Sequence, residues 1–445
     1  MKSQLLWIVP LSVFLGCGGA TSIDPNATDP SATGSPSSPP LATSAPTQPP
    51  GSWVPNSVPM MEPPASTTAE PLPPDPWPRI PAPACSGGVA AMSPRSIVAD
   101  RLAQLVWAEK ADSSLKARLD TLTPYTSGNV GCVARDMLKD PRAHAGVRRF
   151  YMGWLDVLRE PNESYVDPVF VPEFSPALVD SARVATERFV DHLFFEGEAS
   201  FSALLLAPYA FSSPALDFIY GRSSPSGLTQ QYFRGEDRQG IFTQAYFLMT
   251  RTTVNAGSPT QRGASVVLSL HCQRYPPAPP GVRGTLTVEP GWTTRQAYDA
   301  HYANPSCAGC HVFQGRPGYA FEHFDLLGRY RTEESGHPVD SQTLVPAMGS
   351  SLFSEATPAT FEPVSGARAW MSYVASSVAG RQCHAAQWLA YARTFNTESP
   401  NYLNLATAPD RAAVEYVTGR AHVGDELDLR ELVVAVTETS WFLGN

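Results

Sequence analysis

The chain has 445 residues, enough for two or three domains that each bury a sizeable core. Only 16% of residues are charged, and 32 basic against 41 acidic side chains leave a formal charge of -9, with no basic stripe of the kind nucleic-acid binding requires. Proline (44) and glycine (32) are abundant, and most of the proline excess sits toward the amino terminus.

In chain order, Lys2 and the apolar run from Leu5 to Leu15 read as an export signal (residues 1–16), too short to span a bilayer comfortably. The run ends in Phe14-Leu15-Gly16-Cys17-Gly18. This resembles the lipobox of bacterial lipoproteins, in which a small residue precedes a cysteine that becomes N-terminal and lipid-modified. Phe14 replaces the usual aliphatic residue, and an ordinary cleaved signal with a free Cys17 is the alternative. Gly18, where aspartate would signal retention, resembles lipoproteins sent on to the outer membrane. No later segment is long and apolar enough to span a membrane. The body is therefore expected at the bacterial cell envelope, on its periplasmic or surface face, held to a membrane by lipid.

Residues 17–84 are dominated by Pro, Ser, Thr and Ala, as in Ser38-Pro39-Pro40 and Pro71-Leu72-Pro73-Pro74. Such a stretch buries too little apolar surface to offset ordering, so it reads as a disordered tether reaching about 45 Å as a flexible coil, and further where proline stiffens it. The body that follows is expected to be mainly α, in three segments at 85–222, 223–345 and 346–445. In the first, Ser93-Pro94 reads as an N-cap with proline at the first helical position, before Ile97, Leu102, Leu105 and Val106. A helix is expected from about Pro141 to Leu158 with Val147, Phe150, Trp154 and Leu158 on one stripe. Another starts at Ser175-Pro176, carries Leu178, Val184, Phe189 and Leu193, and stops at Gly197. The loop Ser223 to Gly227 marks a break. Beyond it come Gly240 to Leu248, then Ser258-Pro259 with Arg262-Gly263 ahead of the apolar run Val266 to Leu270. The extended stretch Tyr275 to Pro280 follows, and a helix from Thr293 to Tyr302. Arg316-Pro317-Gly318 forms a turn. The last segment carries helices marked by Trp370, Tyr373 and Val374, by Trp388, Leu389 and Tyr391, and by Leu429, Leu432, Val433 and Val436.

The helix ending at Tyr302 delivers the chain to Ser306-Cys307-Ala308-Gly309-Cys310-His311. Two cysteines two residues apart, with histidine next, form the attachment pattern of a c-type haem. Each thiol adds to one vinyl group, and the imidazole of His311 serves as the proximal iron ligand. One helical turn presents both sulfurs on the same side. A redox dithiol or half of a zinc site are the other meanings of a bare Cys-x-x-Cys.

Of seven cysteines, Cys17 is assigned to lipid and Cys307 and Cys310 to haem. The remaining Cys85, Cys132, Cys272 and Cys383 are even in number, which in an oxidising compartment suggests two disulfides with three connectivities. We favour Cys85 with Cys132 and Cys272 with Cys383. The second closes a loop of about 110 residues around the haem motif, a constraint nominally worth about 4 to 5 kcal/mol. Four free thiols are the alternative, and His271 and His384 beside the second pair raise a metal site of two thiolates and two imidazoles.

Together these residues resemble a family of exported proteins, abundant in planctomycetes and myxobacteria, built from consecutive domains of unknown function around a cytochrome c motif. The first domain is matched at Met137 to Arg142, at Phe150 to Trp154 and from Ala210-Phe211 through Tyr220-Gly221. The central domain is matched at Gly240 to Leu248, Ser258-Pro259 with Arg262-Gly263, Cys272 with the proline run, and Pro305 to His311. It continues through Gly318 to Asp325 and Gly328-Arg329-Tyr330-Arg331. The third is matched at Cys383 to Trp388 and at Trp441-Phe442. The resemblance covers nearly the whole body and implies the architecture and one covalent haem c, but no reaction. Members often carry a further N-terminal cytochrome domain, whose place the tether takes here.

The second axial ligand separates electron transfer from catalysis: methionine raises the potential, histidine generally lowers it, and an open position admits peroxide or oxygen. The candidates are Met348, His301, His323 and His337. Arg316, Arg329 and Arg331 are candidate partners of the haem propionates. Phe321, Phe324 and Leu327 are candidate walls of the pocket, and Glu322 and Asp325 are acid–base candidates or caps. No Gly-x-Ser-x-Gly, phosphate loop or His-Glu-x-x-His is present. The leading expectation is a membrane-anchored haem protein passing electrons to a redox partner not identified by sequence. The alternatives are a peroxidase- or oxygenase-type haem enzyme, leaving enzymatic activity open, and a cell-surface binding protein with ancillary haem or none.

Overall fold

The structure is a computed structural model, described here for residues 85, 87–156, 166, 171–233, 237–253, 255–273, 286, 289–304, 308, 311, 315–349, 360–395 and 408–444. The signal, Cys17, the tether, the proline run after Tyr275, Cys307 and Cys310 lie outside those residues. The chain divides into two units, Gly19–Pro71 and Leu72–Asn445 with residues 1–18, and the first of these falls wholly outside the described residues.

The body is mainly α. Helices α1 (Arg95–Trp107), α2 (Ser113–Asp120), α3 (Ser127–Met137), α4 (Ala143–Leu155), α5 (Pro176–Asp191), α6 (Phe201–Leu206) and the short α7 (Asp217–Tyr220) come first. In the middle are α8 (Ala245–Met249), α9 (Pro259–Leu270) and α10 (Thr294–Tyr302). The chain closes with α11 (Gly366–Ala375), α12 (Val378–Thr394), α13 (Ala408–Arg420), α14 (Leu429–Thr437) and α15 (Ser440–Leu443).

Local sequence explains most of the starts. Ser175 and Ser258 accept from the backbone N–H three residues on, with proline at the first helical position of α5 and α9. Asp112, Thr126, Ser200 and Asp428 cap α2, α3, α6 and α14 in the same way. Helix α1 departs from the expectation: Pro94 is itself the N-cap and no side chain caps the helix. Helix α4 is shorter than the pattern suggested, and α5 runs on through one π turn, His192–Glu196, before Gly197. Ile97 and Val184, placed by spacing on apolar stripes, are 45% and 39% exposed. The buried face of α1 follows Val98, Leu102 and Leu105, so Ile97 sits about 100° off it.

Strands occur as two-stranded antiparallel pairs: β1 (Tyr209–Ser212) with β2 (Thr229–Tyr232), β3 (Glu333–Glu334) with β4 (His337–Pro338), β5 (Gln342–Pro346) with β6 (Phe361–Ser365), and β7 (His422–Val423) with β8 (Glu426–Leu427). One continuous apolar core takes residues from Val98 to Leu443 and so draws on all three segments named from sequence. Buried ion pairs stitch its ends: Arg135 of α3 grips Glu431 of α14 with two bonds of 2.9 and 2.7 Å, and Arg420 bonds both Glu431 and Glu438. The disulfides are Cys85–Cys132 and Cys272–Cys383, the favoured pairing. Cys272 takes a left-handed conformation, φ 51°, immediately after α9, which ends that helix and turns the chain toward Cys383. Among the described residues, no helix is long and apolar enough to cross a membrane.

Candidate functional site

The site is built where α10 and a 3-10 turn, Arg316–Phe321, meet the first turn of α9. Thr293 and Gln296 form a capping box at the start of α10. Glu334 reinforces it by accepting from the backbone N–H and hydroxyl of Thr294 at 2.9 and 2.7 Å. The Arg295 guanidinium donates to the carbonyls of Asp340 and Gln342 and lies over the Tyr319 ring.

With its start fixed, α10 presents Tyr298 and Tyr302, four residues apart, on one face. Their hydroxyls meet the α9 terminus: Tyr298 donates to Ser258 Oγ at 3.2 Å, and Tyr302 bonds Thr260 Oγ1 at 2.7 Å. Tyr319 completes a small aromatic cluster, set apart from the main core, and donates to Asp299 Oδ1 at 2.8 Å. Burial raises the pKa of all three phenols, so they are neutral donors at ordinary pH.

Two glycines let the backbone close around this cluster. A Cβ on Gly315 would lie 2.1 Å from the Tyr302 hydroxyl, and one on Gly318 would lie 1.8 Å from the Pro259 carbonyl. Gly315 N–H donates to the His311 carbonyl at 2.8 Å, directly after the Cys-x-x-Cys-His motif. His311 is 5% exposed and its ring stacks on Tyr302 with centroids 5.0 Å apart and 19° between planes. The His301 ring, at the last turn of α10, is 5.2 Å from the His311 ring at 65°. Burial, then the neighbouring His301, pushes His311 down to about 4, so it is a neutral imidazole at neutral pH. Its Nδ1 is buried without a hydrogen-bond partner, and neither Pro317 nor Gly318 offers it a carbonyl. A neutral buried imidazole with an unspent nitrogen suits a metal ligand, and the two thiols that precede it in sequence suit covalent haem.

The other expected residues are placed as follows. Phe321 and Phe324 are fully buried in the main core, with Phe321 near Phe247 and Trp370. Arg329 bonds Asp325 at 2.6 Å, and Asp325 also accepts from the N–H groups of Leu327 and Arg329, so it caps this turn. Arg331 bridges Glu322 at 3.2 Å and Glu334 at 2.6 Å. Arg316 is exposed. Met348 packs partly buried against the main core, its N–H donating to the Tyr373 hydroxyl. His323 stacks on Tyr330 and its Nδ1 meets the Arg331 carbonyl, while His337 is exposed on β4.

Two features escaped the sequence reading. One is the tyrosine cluster, whose signal was the four-residue spacing of Tyr298 and Tyr302 on the helix leading into the motif. The other is a set of buried arginines spent on carbonyls: Arg262 donates to Leu248, Phe324 and Asp325, Arg238 to Thr243 and Gly328, and Arg251 to Leu155. Arg262, 1% exposed, fastens the base of the turn. The metal alternative at Cys272 and Cys383 is overturned, since the sulfurs bond each other. His271 Nε2 accepts from Trp370 Nε1 at 3.0 Å and His384 Nε2 meets the Tyr151 hydroxyl at 3.3 Å. Among the described residues, no group of three or more His, Cys, Asp or Glu is placed to hold a metal.

Residues 238–334, which contain α9, α10, His311 and the turn Arg316–Phe321, match the family model PSCyt3, described as a protein of unknown function (DUF1588). Residues 95–221 match PSD4, described as a protein of unknown function (DUF1592). No curated protein and no solved structure matches the chain.

Proposed function

We propose that this chain carries one haem c on Cys307 and Cys310 with His311 as proximal ligand, and that it transfers electrons at the bacterial cell envelope. The observation that carries the reading is His311: buried, neutral, lacking a partner at Nδ1, and braced by the Tyr302 ring directly after a Cys-x-x-Cys pair. When bound, the haem supplies a one-electron iron couple. Tyr302, locked by Thr260 and by the close approach of Gly315, holds the imidazole plane, and the buried setting keeps its nitrogen unprotonated for ligation. Arg316, exposed on the adjoining turn, is the residue freest to meet a propionate; Arg329 and Arg331 already hold carboxylates. Cys17 would tie the body to a membrane, most simply the outer one, through lipid.

Expression in a host that matures exported c-type haem proteins tests this. Colour should remain on the chain through acid–acetone extraction and denaturing electrophoresis, and C307S/C310S should lose it. The chain should sediment with membranes and need detergent for release, whereas C17S should stay in the supernatant. A purified exported protein with no attached haem would refute the reading and leave the surface-binding alternative.

A further inference from the structure

We infer that His301 is the second axial ligand of the iron held by His311. This rests on the proposed haem site and goes beyond it by naming the residue that occupies the position deciding between electron transfer and peroxide chemistry. Four candidates were open by sequence, and the fold brings one of them to the site: the His301 ring is 5.2 Å from that of His311, edge to face. With metal–nitrogen bonds of about 2 Å, two imidazoles on opposite faces of one haem iron have centroids about 6.4 Å apart. The observed 5.2 Å is about 1 Å short of that, so the rings must part by that much to admit the iron. His301 can provide this, being half-buried at the last turn of α10 and, among the described residues, bound to none by a side-chain hydrogen bond, whereas His311 is held under Tyr302.

The remaining candidates are held elsewhere or exposed. Met348 lies against the main core beside Tyr373, His323 is stacked on Tyr330 with Nδ1 on a carbonyl, and His337 is exposed on β4. The helix carrying His301 is fixed at its start by the capping box and Glu334 and along its length by the Tyr298 and Tyr302 hydroxyls. The second imidazole is thus delivered by a rigid element. Two histidine ligands make a six-coordinate iron at a lower potential than a histidine–methionine pair, and leave no open position for peroxide.

The test uses the haem-loaded protein, wild type against H301A, H301M and M348L, read by spin state and midpoint potential. The wild type is expected to be low-spin and to bind CO and cyanide slowly. H301A should become high-spin, bind CO at least tenfold faster, and return to low-spin with added imidazole. Should H301A not fold, H301M keeps the test open: it should stay low-spin with its midpoint potential shifted upward. M348L should match the wild type throughout. A low-spin H301A, or a high-spin M348L, would overturn the inference while leaving covalent haem intact. A chain purified with one zinc and no haem would overturn both this inference and the reading beneath it, which absorption and metal content distinguish at once.

Discussion

Glu322 is 3% exposed, and its side chain pairs with Arg331 at 3.2 Å. Burial outweighs that pairing and lifts the carboxyl from its ordinary 4.5 to about 7. The sign of the consequence follows from proton counting. Below pH 4.5 the group is protonated in both folded and unfolded chains and costs nothing; between 4.5 and about 7 the native state holds a proton that the unfolded chain has lost. Stability therefore falls as pH rises through that window and stays level above it. The shift corresponds to about 3 kcal/mol. E322Q has no proton to lose, so the stability of wild type relative to E322Q should drop by about that amount across the window. Urea midpoints of the two proteins at either end of it measure the change. A difference independent of pH would mean that Arg331 keeps Glu322 ionised in the fold.

Helix α10, the first turn of α9 and the turn Arg316–Phe321 interlock through backbone as much as through side chains. Because a Cβ on Gly318 would sit 1.8 Å from the Pro259 carbonyl, G318A must pry the turn off α9, at a cost of about 2 kcal/mol or more. Gly419 in α13 has nothing within 4 Å of its Cβ position, so G419A should instead stabilise by up to about 1 kcal/mol through helix propensity. Thermal unfolding of the pair separates close approach from propensity, since both add the same methyl. This contrast also marks what was legible in sequence. Ser175-Pro176 is a complete local signal and starts its helix as read, and Ser258-Pro259, read only as preceding an apolar run, carries the same signal and starts α9. The capping residues of α10 and the position of His301 at its end were equally local. The tyrosine cluster's bonds to α9 and most of the arginine–carbonyl contacts depend on segments distant in sequence. No spacing encodes that Arg262 finds the carbonyl of Asp325, or that Gly315 fits under Tyr302. Ser93-Pro94 shows the limit of local signals, because its helix starts one residue late without a side-chain cap.

At the scale of the molecule, three segments that look separable by composition share one core, and the bonds that close it are long in sequence. Arg135 reaches Glu431, Arg101 donates to the Phe442 carbonyl at 2.6 Å, and the Cys272–Cys383 bond spans 111 residues that include the Cys-x-x-Cys-His motif. By loop length, that bond is worth about 5 kcal/mol and the 47-residue Cys85–Cys132 bond about 4 kcal/mol. If the body folds as one unit, either loss is felt everywhere. C272S/C383S and C85S/C132S should each lower a single transition, with far-UV and near-UV circular dichroism melting together and the first variant losing more. Were the segments independent, C85S/C132S would leave the transition of the later segments where it was, and the two signals would separate. The shared core and the buried Arg135–Glu431 pair, which ties α3 to α14 and is costly to open with one partner left buried, favour the single transition.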